Sequence, residues 1–348
     1  MKYNYLFNFS VSYIGGGFKR LHDFARWFHH NGGASFIIHP ACNNISMEFP
    51  NNKYMVVQQS NIKRAVDDCY YLKGIMKNFQ DIDLYYSYGI PIYKSIAKVN
   101  WFHLSNTLPL WQKNVPLSIV SRIKFFCLGL RIKNNFKNAD VISAESKFSL
   151  SLVDPKYQSK LFLSVNGSDD EIRSRCLICR PRGEKNLAVV VGTYSYKKIK
   201  DSIKIFKMLK RTDDKLKLVI VGDERNIPPC LGTVENVDAV GLVPRKQVIE
   251  LLKRAKYYIS TTCIENSYNA AAEGVFFAEE SFISDIGPHR ELLDGCRFDI
   301  MAIPDIGLPV LRVKREDLIF GNLRSWDEVI EDMIDHVIEC LHDLDSTD

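Results

Sequence analysis

The chain has 348 residues, 46% of them hydrophobic and 25% charged, a composition of ordinary globular proteins with room for two domains. No apolar run approaches the roughly 18 to 20 residues that cross a bilayer, and the N-terminus leads into a strand pattern rather than a signal peptide. Nine cysteines spread over the whole length favour reduced thiols over a disulfide framework. We therefore expect a cytoplasmic protein, with peripheral attachment to the inner face of a membrane left open.

The net charge of +5 is divided unevenly along the chain. Residues 1–168 carry 20 Lys and Arg against 9 Asp and Glu, whereas the remainder carries 26 against 32. No acidic residue occurs between Asp83 and Asp140. The N-terminal half is therefore the part expected to approach an anionic surface. Nucleic acid is not an expected partner, because the aromatic residues follow no RNA-binding signature and the other half is acidic.

The first part of the chain predicts a parallel sheet. A strand at residues 3–9 is followed by a glycine turn at 15–17, an amphipathic helix at 18–30 and a second strand at 35–39. This order is a βαβ unit, which implies parallel strands. Further strands are predicted at residues 84–86, 99–102, 141–143 and 161–164.

A second α/β series follows a polar stretch that predicts a linker at residues 168–185. Its pattern predicts strands at residues 187–192, 217–223 and 257–260 and helices at residues 201–209 and 244–255. The two series predict two Rossmann-like domains. A last apolar stripe at helical spacing, residues 326–341, predicts a C-terminal helix.

Two carboxylates bracket the helix that follows the last of these strands. If that helix begins at Ser267, Glu265 lies on the turn before its N-terminus and Glu273 lies farther along it. The first N–H groups, those of Ser267, Tyr268 and Asn269, would then face an anion, most naturally a diphosphate. The carboxylates could accept hydrogen bonds from hydroxyls on either side. This layout predicts a nucleotide-sugar site.

The Glu-x7-Glu spacing, with the strand before it and Gly274 after it, resembles the donor-site motif of retaining GT-B glycosyltransferases, especially the family-4 group. Five other segments resemble parts of that family in the expected order: residues 15–17, 166–169, 192–199, 241–244 and 284–291. The resemblance implies an α/β protein of GT-B architecture, in which two Rossmann-like domains face a central cleft and the C-terminal helix crosses back to the N-terminal domain. The alternative is a C-terminal helix packed on its own domain.

The resemblance also implies domain boundaries and site residues. The domains would be an acceptor-binding domain at 1–168, a nucleotide-sugar-binding domain at 186–322 and a bracing helix at 323–348. The catalytic residues would be Glu265 at the sugar hydroxyls, Lys198 at the diphosphate and His103 near the donor sugar. The remaining donor-site residues would be Glu273 at the ribose, Ser267, Tyr268, Asn269, Gly192, Thr193 and Val243, and Gly16 and Gly17 would form an acceptor or phosphate loop.

Thr193 departs from the family, which usually has an arginine at this position. The second cation at the diphosphate would then come from Lys197, Lys200 or the N-terminal domain, or the clamp would be looser. Each assignment has a simpler alternative: a solvated lysine face, a plain glycine turn, and a merely hydrogen-bonded His103. Likewise, residues 116–138 predict either a core helix with a basic outer face or a segment lying on an anionic bilayer.

These residues predict a retaining glycosyltransferase that moves a sugar from a nucleotide-diphosphate donor to a lipid-linked or glycan acceptor. By analogy, the acceptor would belong to bacterial surface polysaccharide assembly, such as O-antigen, capsule or lipopolysaccharide. No cofactor and no protein-held metal are expected, since the histidines lack metal-ligand spacing. A nucleotide-sugar epimerase of the same fold and a non-catalytic scaffold protein remain alternatives.

Overall fold

The computed structural model describes residues 3–58, 77, 79, 81–169, 172, 186–228 and 234–346. Most of the predicted linker, residues 168–185, lies outside the described residues. Contacts divide the chain into two compact units, the first comprising Met1–Trp111, Ile123–Gly167 and Arg324–Asp348 and the second comprising Gln112–Arg122 and Ser168–Leu323.

The first unit contains a parallel sheet, as predicted. Its described strands are β1 (Tyr5–Phe9), β2 (Ser35–Ile38), β3 (Lys53–Val56), β4 (Leu84–Tyr88), β5 (Val99–Leu104), β6 (Val141–Ala144) and β7 (Leu161–Leu163). The strand order is β3-β2-β1-β4-β5-β6-β7, and every described pair is parallel. The α-helices of this part of the chain are α1 (Gly15–His30), α2 (Ile45–Glu48), α3 (Ile119–Asn135) and α4 (Lys147–Leu150).

The second unit contains a mixed sheet. Its described strands are β8 (Leu187–Val191), β9 (Lys217–Val221), β10 (Val237–Ala239), β11 (Tyr257–Ser260), β12 (Glu280–Ser284), β13 (Asp299–Met301) and β14 (Val310–Lys314). The strand order is β10-β9-β8-β11-β12-β14-β13, with β14 antiparallel to both of its neighbours and the other described pairs parallel. The α-helices are α5 (Ile199–Lys210), α6 (Arg245–Arg254), α7 (Asn269–Phe277) and α8 (Gly287–Leu292).

Short 3-10 turns complete the described connections. They lie at Pro40–Cys42, Phe136–Asn138, Pro155–Lys160, Ser195–Lys197, Glu224–Asn226, Arg315–Asp317 and Phe320–Asn322. Among the described residues, no helix is both long enough and apolar enough to span a membrane.

The C-terminal helix α9 (Trp326–Asp345) packs within the first unit. Its side chains Trp326, Ile330 and Met333 are buried in the same core as Phe7 of β1 and Phe24 of α1. The apolar stripe drives this packing, and a capping box between Ser325 and Glu328 fixes where the helix begins. The C-terminal helix therefore packs on the elements of the N-terminal domain, as the resemblance implied.

The described helices α1, α5, α6 and α7 start one to three residues away from the predicted positions, and the shifts of α1 and α7 affect the predicted site. α1 begins at Gly15 rather than residue 18, and Gly15 has a φ of 63°, a left-handed angle that glycine adopts at little cost because it lacks a Cβ. α7 begins at Asn269 rather than Ser267. Tyr268 has a non-helical backbone, with ψ 17°, and the Ser267 hydroxyl bonds to the Asn269 side chain at 3.1 Å.

Candidate functional site

The loops after β8 and β11 bring a lysine and a glutamate together in the second unit. Lys197 donates to a carboxylate oxygen of Glu265, and their side chains are only 10% and 18% exposed. Gly192 makes this possible, because its φ of 93° turns the chain at the end of β8 and a Cβ there would lie 3.3 Å from Lys197 Cε. The sequence predicted Glu265 and offered Lys197 only as one of several second cations.

Lys198 occupies the junction between the 3-10 turn and α5. Its backbone is left-handed, with φ 46° and ψ 52°, and its carbonyl accepts a bond from Thr261 Oγ1 at 2.9 Å. Burial raises the pKa of the Cys263 thiol, and the charge of Lys198 opposes that rise. The side chain of Lys198 therefore lies within electrostatic reach of the loop that carries Glu265. Its assignment to a diphosphate stays a prediction.

Thr193 points into the second unit. It is buried, its hydroxyl donates to the carbonyl of Asp223 at 2.9 Å, and its Cγ2 lies 2.5 Å from the position a Cβ on Gly222 would occupy. The side chain at this position therefore closes the gap between the ends of β8 and β9. An arginine side chain at position 193 would have to point out of that gap before it could reach a ligand.

The start of α7 has the features of an anion site. The side chain of the N-cap residue Tyr268 makes no capping hydrogen bond to this nine-residue helix, and the first bond of the helix runs from Ala272 N to Tyr268 O at 2.6 Å. The N–H groups of Asn269, Ala270 and Ala271 precede that bond, so they cannot pair within the helix. The N–H groups that could face an anion are therefore those of Asn269, Ala270 and Ala271. The prediction had placed them two residues earlier, at Ser267, Tyr268 and Asn269.

Glu273 is held by an arginine. Arg245, at the start of α6, pairs with Glu273 and also with Asp169 at 2.5 Å. The Glu273 side chain is 17% exposed and that of Arg245 is 46% exposed. The pair orients the Glu273 carboxylate from one side, because a guanidinium offers several donors in a fixed plane. No pattern in the sequence had singled out Arg245.

A buried histidine lies beside the Lys197–Glu265 pair. His289 bonds through Nδ1 to the Ser284 carbonyl at 2.7 Å, so Nδ1 carries the proton. Burial lowers the pKa of His289 to about 4, while Glu265 acts to raise it and Lys197 to lower it. Its Nε2 has no hydrogen-bond partner among the described residues. The sequence did not identify His289, although a histidine in the first turn of the helix that follows a buried strand is the kind of signal that could have.

Val243, predicted to contact the nucleotide base, lines a cavity of about 420 Å³ on the second unit. The wall combines apolar side chains with the charged and polar side chains of α6. Leu242, next to it, is exposed. The structure therefore places Val243 at an accessible concave surface, and its contact with a base stays a prediction.

His103 lies inside the first unit. It is fully buried, its Nδ1 lies 2.8 Å from Ser143 Oγ and its Nε2 lies 3.5 Å from Glu145. Tyr88 stacks on the imidazole at 5.2 Å and donates to Glu145 at 3.2 Å. Burial lowers the pKa of His103 to about 4, with Arg20 also lowering it. The alternative of a hydrogen-bonded histidine fits this placement, and a contact with a donor sugar remains a prediction.

Arg20 is the functional-site candidate of the first unit that sequence reasoning missed. It is fully buried and donates to the Ser164 side chain and to Asn166 Oδ1, the latter at 3.1 Å. Its place within the apolar stripe of α1, four residues before Phe24, is a signal that could have found it. Gly17 lies one turn earlier, and a Cβ there would come within 3.1 Å of Ser12 and Tyr88.

The glycine turn forms the uncapped first turn of α1. Gly15 has φ 63°, and no side chain caps the helix at Ile14. Gly16 is exposed and Gly17 is half-buried. The first N–H groups of this 16-residue helix follow the carboxyl end of β1. Their role as an acceptor or phosphate loop stays a prediction. Among the described residues, no three His, Cys, Asp or Glu side chains come together as metal ligands.

Comparison with known proteins connects this geometry to a family. Residues 179–266 match the model of the family described as Glycosyl transferases group 1. That segment runs through β8, Lys197 and Lys198 to Glu265. No curated protein sequence matches the chain.

Solved structures share the fold of the chain. The structure of HepE from Anabaena, in complex with UDP and glucose, has a TM-score of 0.56 at 13% identity and covers 84% of each chain. The lipopolysaccharide outer core galactosyltransferase WaaB has a TM-score of 0.54 at 14% identity and covers 87% of this chain and 86% of its own. The trehalose-6-phosphate synthase OtsA has a TM-score of 0.56 at 10% identity, with 84% and 87% covered. These likenesses confirm the predicted GT-B fold class, and the family match supports glycosyl transfer.

Proposed function

We propose that this protein is a retaining glycosyltransferase that binds a nucleotide-diphosphate sugar on its second unit and transfers the sugar to a lipid-linked or glycan acceptor. The observation that carries the proposal is the ion pair between Lys197 and Glu265 at the ends of β8 and β11, with Lys198 next to Lys197 in the chain and the start of α7 four residues after Glu265. A sugar diphosphate needs cations and N–H donors for its phosphates and carboxylates for its hydroxyls. This loop pair offers both kinds of group.

The cations would act mainly on the departing group. Breaking the bond between the sugar and its phosphate places negative charge on the nucleotide diphosphate, and donors already aimed at that charge lower the barrier. Lys198 and the first N–H groups of α7 supply such donors. Lys197 is paired with Glu265, so its first role is to hold that carboxylate in one orientation.

The carboxylates would select and orient the donor. Glu265 would accept bonds from hydroxyls of the donor sugar, and Glu273 would accept from the ribose. Arg245 fixes Glu273 as Lys197 fixes Glu265. Each acid is thus held in one orientation and offers its remaining lone pairs to the substrate.

Retention is proposed on the resemblance, with transfer on the face from which the diphosphate leaves. That phosphate would take the acceptor proton, and no covalent sugar-enzyme bond would form. The acceptor would belong to a surface polysaccharide such as lipopolysaccharide or O-antigen. HepE was solved with UDP and glucose, and WaaB is a lipopolysaccharide galactosyltransferase, which supports this class of donor and acceptor.

A thermal-shift screen of nucleoside diphosphates tests the proposal. The matching diphosphate, at about 100 times its Kd, should raise the unfolding free energy by about 2.7 kcal/mol. Lys198→Ala should abolish the shift, whereas Lys215→Ala, an exposed lysine distant in sequence, should leave it unchanged. If no nucleoside diphosphate stabilises the protein, the proposed assignment of the donor site is wrong.

A turnover assay separates the transferase from its alternatives. Glu265→Ala should abolish sugar transfer while the protein still folds, with Glu235→Ala as the control for an exposed acid. Interconversion of a nucleotide sugar without acceptor would indicate an epimerase. Activity or partner binding that is indifferent to Glu265 would indicate a scaffold.

A further inference from the structure

Helix α3 is apolar on two opposite sides. On one side Ile132 is buried and Leu128 packs against the core that contains Phe136 and Phe102. Gly129 allows close contact there, since a Cβ at this position would lie 2.0 Å from the Pro109 carbonyl oxygen. Packing on this side accounts for some of the apolar residues of the helix, and other apolar residues lie outside this contact.

The opposite side of α3 is exposed and apolar. Five large side chains stand out to solvent: Ile119 at 77%, Val120 at 78%, Ile123 at 59%, Phe126 at 60% and Leu130 at 47%. At 3.6 residues per turn, positions three and four apart share one face. The five therefore form a continuous apolar stripe about three turns long, far more than the scattered single exposures that any surface carries.

Cations flank this apolar stripe on both sides. Residues a whole number of turns apart lie on the same side of a helix. Arg122 and Lys133, three turns apart, therefore follow one edge of the stripe. Lys124 and Arg131, two turns apart, follow the other edge. The helix contains no acidic residue. An apolar stripe bordered by Lys and Arg is the pattern of helices that lie in a membrane interface.

We propose that α3 docks this protein onto an anionic lipid bilayer, with the apolar stripe at the acyl boundary and the flanking cations on the phosphate headgroups. Charge decides in favour of lipid over a second copy of the same helix. Two copies packed stripe to stripe would bring the cations of both helices together, and α3 itself contributes no acidic side chain to that contact. Anionic headgroups satisfy the cations while the acyl region covers the stripe.

This inference does not rest on the proposed glycosyl transfer. A bilayer would be recognised through α3 alone, whatever the second unit binds. If the enzyme does act on a lipid-linked acceptor, the surface also explains how the acceptor is found.

Co-sedimentation with vesicles tests the docking surface on the full chain. Wild-type protein should bind vesicles that contain about one third phosphatidylglycerol, bind pure phosphatidylcholine weakly, and lose binding as salt rises. Ile123→Gln with Phe126→Gln should lower partitioning at least about tenfold, since both apolar groups leave the interface. Ile300→Gln is the matched control, because Ile300 is an isoleucine of the second unit that is 57% exposed, and it should bind as wild type does.

The cations give an independent measurement. Lys124→Gln and Lys133→Gln should each weaken binding to the anionic vesicles about fivefold, since one cation near the surface contributes about 1 kcal/mol. The four substituted side chains, those of Ile123, Lys124, Phe126 and Lys133, are exposed. The variants should therefore keep the circular dichroism spectrum and the melting temperature of the wild type. Wild-type-like partitioning of the Ile123/Phe126 variant overturns the proposal. The proposal is also overturned if the wild-type protein forms a concentration-dependent dimer and the Ile123/Phe126 variant stays monomeric, because a second copy of the chain would then cover the stripe.

Discussion

Lys197 and Glu265 form an ion pair that joins the loop after β8 to the loop after β11, although 68 residues separate them in the chain. The two strands are parallel neighbours in the sheet, so their carboxyl ends lie side by side. Because both side chains are mostly buried, the pair fixes the geometry of the two loops that carry the proposed donor site. Neither residue is positioned by its own local sequence.

Breaking this pair should cost stability. Lys197→Met leaves the Glu265 carboxylate largely buried without its partner, which we expect to lower the unfolding free energy by about 1–3 kcal/mol. Glu265→Gln should cost a similar amount, and the double variant less than the sum of the two. Urea unfolding of the three variants measures the coupling. Additive losses would show that the two side chains act independently.

Adding a methyl group to Gly274 should distort α7. Alanine in a helix is normally about 1 kcal/mol more stable than glycine, but a Cβ here would lie 2.3 Å from the ring of Tyr258. Overpacking of this kind costs about 1–3 kcal/mol, so Gly274→Ala should lower the melting temperature and weaken nucleotide binding.

Gly307→Ala is the matched control for this change, because nothing lies within 4 Å of a Cβ at Gly307. It should melt within a degree or two of wild type. A Gly274→Ala protein that is as stable as the control would mean that α7 does not pack on Tyr258 in this way.

Introducing at Thr193 the arginine expected from the resemblance should not improve function. Thr193 is buried and bonded to the Asp223 carbonyl, so an arginine would have to displace the end of β9. We expect Thr193→Arg to destabilise the protein by about 2 kcal/mol or more. Thr193→Ser keeps the hydroxyl and should be the mildest change. A Thr193→Arg protein with normal stability and tighter nucleotide binding would show that this position faces the ligand.

Stability should fall as the pH is lowered from about 6.5 toward 4. Burial lowers the pKa of both His103 and His289 from 6.5 to about 4. In that window the unfolded chain binds protons that the folded protein excludes, so the unfolding free energy rises with pH, by about 1.4 kcal/mol per unit for each histidine. Above pH 6.5 this contribution is complete.

Replacing one histidine isolates its share of this slope. His103→Gln should reduce the slope of the unfolding free energy against pH, as measured by urea unfolding across the window. His22→Gln is the control, since His22 is partly exposed and pairs with Glu48 at the surface. Parallel curves for wild type and His103→Gln would contradict a buried neutral His103.

The sequence by itself determined the local elements and their order. Alternating strand and helix patterns identified both α/β units, and the stripe ending at Leu341 identified α9, because periodicity follows directly from which faces are buried. The GT-B likenesses confirm the fold class that these patterns predicted, and the site motifs from the glycine turn to Glu273 stay predictions. The antiparallel β14 was not predicted, since a short strand carries no mark of its direction.

Only the tertiary structure decided which side chains meet. It paired Lys197, rather than Lys198, with Glu265, and supplied Arg245 to Glu273, because contacts between loops depend on the parallel sheet that aligns them. It buried His103, Thr193 and Arg20, which the sequence could describe only by residue type. For α3 the periodic pattern was ambiguous, because two opposite faces are apolar, and packing decided which of the two stays exposed.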